Sequence, residues 1–352
     1  MWAGFLAYLG LLAWAPRLGR RFVWGAIVVL VTGFAVAPVL LSHDVYSYVD
    51  YARLGVRHGL DPYVHPPLAA PADPAYAHVT WTEATSAYGP LFTLATYPLA
   101  WLPVGTAVAV LKAVAALSVL GIALITARLA AWRGADPLRA AAFVALNPLV
   151  LVHVVGGAHN DGLTTLLATA AVAAILSARE LAGGATLLTA VATKLSAAFL
   201  APFALLGTAR KGRLAAGALV TALTICVAAY FAFGWDWLHG FGLAGENQDR
   251  TSHMSIPITF ARLTGLGADG VRLAAALLYA AFVAYLLAWT WRGGDWVRAA
   301  GWAGLGLLLA TSWLLPWYLL WLLPLAAISR DRPLQLLVIA LTAYQLGARI
   351  PL

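Results

Sequence analysis

Charge is scarce in this 352-residue chain: Asp, Glu, Lys and Arg make up 10% of it, against about 25% in an ordinary soluble domain. Hydrophobic residues make up 62%. Apolar runs recur along the whole length, which excludes a soluble domain with a single anchor. Cysteine occurs once, at Cys226 within an apolar run, so no intrachain disulfide can form and the redox compartment is unread. A Walker motif, a dinucleotide fingerprint, paired cysteines and His-rich metal spacings are all missing. Nucleotide-driven transport therefore finds no support, and we expect no cofactor. A metal is not expected either, although carboxylate and backbone oxygens alone suffice for a hard cation. No repeat or low-complexity tail stands out. The first apolar stretch, Met1 to Ala15, has no basic region before it; Arg17, Arg20 and Arg21 follow it. That order reads as a short first helix rather than a cleaved signal.

The charge that is present is sorted by side. Net charge is +8, but 14 of the 22 basic residues, from Arg17 to Arg332, fall in the short loops of one side. Ten of the 14 acids, including Asp44, Asp50, Asp61, Asp73 and Asp161, fall on the other. The excess is a positive-inside signal that makes the first side cytoplasmic, and it argues against a nucleic-acid partner. The expected fold is an all-α polytopic membrane protein in one domain, 1–352. Helices are expected at 1–15, 22–42, 104–127, 140–156, 162–178, 214–233, 270–291, 299–315, 318–328 and 333–348, about ten spans in all. Basic clusters at both ends of 181–207 predict a short-helix hairpin there, turning near Lys194. Two external loops are long, 43–103 and 234–269, and function concentrates in such excursions.

Three constellations carry ionisable groups to the external side. The first is Ser42-His43-Asp44-Val45-Tyr46-Ser47-Tyr48, which directly follows twenty apolar residues, Phe22 to Leu41. An amphipathic helix is predicted over about 45–58. Asp44 could cap that helix or, with its pKa raised by burial, serve as a general base. Asp50, Arg53 and Arg57 share one helical face, where they could pair with each other or meet a phosphate. The second is Gly156-Gly157-Ala158-His159-Asn160-Asp161-Gly162, a polar turn that could only cap a helix or could share a cavity with Asp44. The third is Lys194 in apolar sequence, where a charge costs about 2.5–3.5 kcal/mol on insertion scales; Lys112, nearer a helix start, is expected to snorkel. The run Glu246 to Ser255 holds Arg250 and His253, and Trp313 to Pro324 forms an aromatic turn. Tyr48, Tyr88 and Trp317 could be interfacial belt residues or platforms for sugar rings.

These pieces resemble the bacterial polyprenol-phosphate-mannose-dependent α-1,6-mannosyltransferases of the GT-C glycosyltransferase superfamily. The resemblance rests on Asp44-Val45-Tyr46-Ser47-Tyr48 with Gly59-Leu60-Asp61-Pro62-Tyr63, Tyr88-Gly89-Pro90, and Asn147-Pro148 leading to Gly156 through Asp161. Lys194 and Pro316-Trp317-Tyr318 with Trp321 complete it, in order from residue 42 to 324. It implies a GT-C-type helix bundle in the bacterial plasma membrane with its active site on the external face. It also implies a polyprenyl-phosphate sugar donor, a glycan or glycolipid acceptor, and surrounding membrane lipids as partners. Asp44 matches the family's catalytic aspartate and would deprotonate the acceptor in a single inverting displacement. Lys194, His159, His253 and Arg250 are then the candidates for the donor phosphate. Tyr48, Asp161, Asn160, Tyr88 and Trp317 are the candidates for sugar or acceptor. A donor carrying arabinose or glucose, or a flippase or transporter for a lipid-linked sugar, are the competing expectations. A transporter would more typically gather polar groups at mid-span.

Overall fold

The computed structural model describes residues 1–246 and 249–348, so Asn247 and Gln248 of the second-loop polar run lie outside the described residues. Within them the chain forms helices and no strand. In order these are α1 (Trp2–Leu18), α2 (Arg20–Val36), α3 (Asp44–Arg57), α4 (Pro90–Thr96), α5 (Val104–Trp132) and α6 (Pro137–Ala145). There follow α7 (Asp161–Leu176), α8 (Glu180–Thr193), α9 (Ala201–Gly207), α10 (Lys211–Phe233) and α11 (His239–Glu246). The remainder are α12 (Ile256–Thr264), α13 (Ala268–Trp291), α14 (Trp296–Ala310), α15 (Leu323–Ile328) and α16 (Arg332–Gly347). Three described helices, α5, α10 and α13, are long and apolar enough to cross a membrane. Large apolar side chains on α10 and α13 are exposed, Phe231 at 83% and Leu278 at 72%. Such faces need an apolar surround.

The core is a packed stack in which α5 meets α6 and α7, α7 meets α8, and α8 meets α10. The last contact is close because glycine faces backbone on both sides. A Cβ on Gly184 would lie 1.9 Å from the Leu214 carbonyl, and one on Gly217 would lie 2.0 Å from that of Leu181. Small residues that let helices approach this way are a common membrane packing device.

Helix breaks, rather than helices, build the functional region. The run expected to be helical over 22–42 stops at Val36: Ala37 is extended at φ −60°, ψ 160°, as the residue before a proline prefers. The carbonyls of Ala37 and Pro38 are left without helical donors, and Lys112 supplies them, its Nζ lying 2.6 and 3.1 Å away. The same ammonium donates to the Gly156 carbonyl at 3.1 Å. Lys112 is thus a buried clamp, not the snorkelling residue expected, because these exposed carbonyls need a donor. The segment expected as one helix over 140–156 is likewise broken. After α6, the Asn147 side chain accepts from the Leu149 amide at 3.0 Å, and residues Val150–Val155 continue as a π-helix. The third break follows α8, where Lys194 adopts an extended conformation before a 3-10 turn over Leu195–Leu200.

The first long loop is folded around Asp73. That carboxylate accepts from Arg53 Nε at 2.7 Å, pairs with His58 Nε2 at 2.9 Å and caps the Ala75 amide at 2.9 Å. Arg53 and Arg57 both donate to the Ala100 carbonyl, at 3.1 and 2.8 Å. These two arginines fasten α3 to the loop, and neither lines the cavity where a phosphate contact was the alternative expectation.

Candidate active site

Asp44 is the first residue of α3, and His43 stands at the N-cap without a capping side-chain bond. The Asp44 carboxylate is therefore free of the capping duty the sequence allowed. It instead accepts from Trp81 Nε1 at 3.2 Å, and its side chain keeps 18% exposure. Burial raises its pKa above the ordinary carboxylate range; the Trp81 bond, the Lys194 charge and Ser42 pull the other way, and Asp161 adds to the rise. A carboxylate poised in this way is a better proton acceptor than an exposed one at neutral pH.

Asp44 opens onto a cavity of about 730 Å³ that is also lined by Tyr88, Lys194, Arg250, His253 and Trp317. Its walls include Tyr51, Trp81, Leu243, Met254, Leu307, Leu308, Leu314 and Trp321, so polar and apolar side chains share its lining. Lys194 enters because α8 ends one residue before it. Its Nζ is held by Asp161 at 2.9 and 2.8 Å, with the rings of Tyr318 and Trp321 at 5.4 and 5.8 Å. Trp321 Nε1 donates to Asp161 Oδ1 at 2.7 Å. The Tyr88-Gly89-Pro90 turn is what sets that end of α8: the Gly89 amide donates to the Thr193 carbonyl at 3.2 Å. A Cβ at Gly89 would sit 2.0 Å from the Ala192 carbonyl, so only glycine fits.

Two loops and the aromatic turn meet at the mouth. The Arg250 guanidinium lies 5.0 Å from the Trp81 ring and 6.0 Å from that of Trp313, distances within cation–π range. Ser252 and Ser255 stitch the same loop to the turn, donating to the carbonyls of Leu314 at 2.6 Å and Thr311 at 2.9 Å. Arg250 and His253 are exposed and line the cavity.

The remaining predicted residues support the wall from behind. Asp161 is fully buried, and Asn160 is 4% exposed. Both Asp161 oxygens accept from Lys194 and Asp161 does not line the cavity; rather than standing where a sugar would be met, it is the counter-ion of Lys194. Tyr48 is 2% exposed, packed edge-on to Tyr88 and Phe92, and so belongs to the core under Asp44. His159 is 1% exposed and stacks on Trp317 with ring centroids 3.7 Å apart. Burial pushes its pKa well down, with Lys194 and His153 adding to the effect. His159 does not line the cavity, so it is not placed where the phosphate contact expected of it would be made. Trp81 was absent from the expected site because nothing local marks it: it lies 37 residues after its partner, in a loop without periodicity. Among the described residues no three His, Cys, Asp or Glu side chains gather as a metal centre would need.

Residues 1–210 match the family described as "Alpha-(1->6)-mannopyranosyltransferase, N-terminal domain". Asp44, His159 and Lys194 lie inside that range; Arg250, His253 and Trp317 lie beyond it. The chain is 35% identical over 216 residues to alpha-(1->6)-mannopyranosyltransferase A of Mycobacterium tuberculosis, covering 58% of this chain and 41% of that protein. It is 30% identical over 226 residues to the protein of the same name from Corynebacterium glutamicum, covering 58% of this chain and 45% of that one. The match thus spans less than half the length of either curated relative. With the matched segment running from the first helix through the Lys194 break, this chain belongs to the alpha-(1->6)-mannopyranosyltransferase family.

Proposed function

We propose that this chain is an inverting mannosyltransferase of the membrane that uses a polyprenyl-phosphate donor and an external mannan or glycolipid hydroxyl as acceptor. The observation that carries the reading is that a desolvated carboxylate, Asp44, and an ammonium held by Asp161, Lys194, line one cavity together with apolar side chains. In the proposed step the acceptor hydroxyl attacks the anomeric carbon and gives its proton to Asp44. The bond from that carbon to the phosphate oxygen breaks, and polyprenyl phosphate leaves with the electron pair. Negative charge grows on the leaving phosphate, where preorganised cations are worth most. Lys194 meets it within the cavity, and Arg250 and His253 meet it at the mouth. Trp317 and Tyr88 are the aromatic surfaces offered to the sugar. The apolar wall from Leu243 to Leu308 takes the first part of the lipid tail. Helices α5, α10 and α13, with the shorter apolar segments, make up about ten spans in a GT-C-type bundle, with the cavity facing outward.

The test is transfer by the purified chain in nanodiscs, given polyprenyl-phosphate-mannose and a short α-mannoside, with and without chelator. Product from the parent, lost in folded Asp44→Asn, supports the reading. Product only with an arabinose or glucose donor keeps the reaction and changes the sugar. Full turnover by Asp44→Asn would rule out Asp44 as the base.

A further inference from the structure

His159, 1% exposed, stands beside Asp44, and neither of its ring nitrogens has a hydrogen-bond partner among the described residues. Leaving such a group unpaired in a low-dielectric wall is costly. Its Nδ1 lies 3.7 Å from Asp44 Oδ2, about 0.9 Å beyond a charge-assisted hydrogen bond. Trp317 packs on one face of the ring, with centroids 3.7 Å and planes 19° apart, and at 1% exposure the imidazole has little open space around it. The carboxylate has more: it sits on the first residue of α3 and is partly open to the cavity.

We infer that His159 is the positioning residue of Asp44, its Nδ1–H donating to Oδ2 when the acceptor is bound while Trp81 holds Oδ1. This rests on the reading of Asp44 as the base. Two donors on opposite oxygens clamp the carboxylate plane, so that a remaining lone pair faces the acceptor hydroxyl. They also select the imidazole tautomer, with the proton on Nδ1. No atom of His159 reaches the substrate, and no proton leaves it.

Other groups share this surrounding and must be held constant in a test. Lys194 and Asp161 act on Asp44 through space, and Ser42 both accepts from its amide at 3.3 Å and steadies its carboxylate. His43 and Arg250 line the same cavity. The buried phenols Tyr48, Tyr51, Tyr88 and Tyr318 all feel its charge. His159 is faced in turn by Lys194 and His153. A neutral donor on a carboxylate favours the charged form, so removing it must move the acid limb of the rate profile upward.

The experiment is kcat against pH at saturating donor and acceptor, which reports groups in the bound complex, with donor KM measured beside it. It uses the full chain in nanodiscs and compares the parent with His159→Phe, His159→Asn, His159→Gln and Asp44→Asn. His159→Phe keeps the stack on Trp317 and removes the donor. We expect its acid limb to rise by about one pH unit and kcat to fall about 10–100-fold, with donor KM within about twofold of the parent. Asparagine places an amide nitrogen where Nδ1 was and restores the limb; glutamine, which reaches toward Nε2, does not. The Asn and Gln pair decides the matter if the Phe variant does not fold. An unmoved limb in the Phe variant, equal limbs for Asn and Gln, or a raised donor KM at unchanged kcat would overturn the inference. If Asp44→Asn turns over normally, the base assignment itself has failed. If that variant is dead and the limb does not follow His159, only this inference has.

Discussion

Asp161 and Lys194 form an asymmetric pair. Asp161 has no exposure, whereas Lys194 keeps 18% of its side chain open to the cavity. Removing one partner of a buried pair costs about 3–5 kcal/mol, chiefly through the charge left behind. Lys194→Met strands a carboxylate that keeps Trp321 as its remaining side-chain donor among the described residues, so it should lower the melting temperature more than Asp161→Asn, which strands an ammonium able to reach water. The double variant should recover most of that stability and none of the transfer; thermal unfolding in detergent beside a transfer assay reads both. Asp50 offers a pH test. It is 1% exposed, and its Oδ2 has no partner among the described residues. Burial, and then Asp73, push its pKa up to about 7, with His58 and Arg53 opposing. A folded pKa above the unfolded value of about 3.9 means that its stabilising contribution is complete at low pH and is lost as pH rises toward 7. Asp50→Asn should therefore raise the melting temperature more at pH 8 than at pH 5; an equal effect at both would contradict that sign.

Three helix interruptions govern the site at the level of elements. The extended exit from α2 aims the chain at Asp44, the break after α6 leads to the His159 turn, and the end of α8 delivers Lys194. Each exposes carbonyls that another part of the chain must satisfy, and Lys112 and Gly89 do this for two of them. Gly89→Ala should force the Ala192–Thr193 backbone away by more than an ångström, displacing Lys194. A loss of about 100-fold in kcat with a smaller loss of stability is expected from steady-state kinetics and melting curves; unchanged kcat would mean that this junction does not set Lys194. Local sequence foretold some of this. The amphipathic helix predicted over 45–58 is found at Asp44–Arg57, because its apolar spacing is a local property. The overrun at 22–42 arose because hydropathy continues through Pro38 while backbone geometry does not.

At the scale of the molecule, the sorting of charge predicts orientation. Reporter fusions at Arg210 and Asp73 should fall on opposite sides of the membrane, and finding both on one side would overturn the proposed topology. Composition and local pattern alone determined that this is a helical chain rich in apolar segments, and that Asp44, the 156–162 turn and Lys194 are the polar exceptions. Those are properties of neighbouring residues, and they survive in any fold the chain could adopt. Only tertiary packing decided which exceptions face the cavity. The Lys194–Asp161 contact joins residues 33 apart and the Trp321–Asp161 contact residues 160 apart. Packing turned Arg53, Arg57 and Lys112 into clamps, sealed His159 under Trp317 and brought Trp81 to Asp44. Desolvation and hydrogen bonding depend on what surrounds a side chain in space, and a charge's role follows from them.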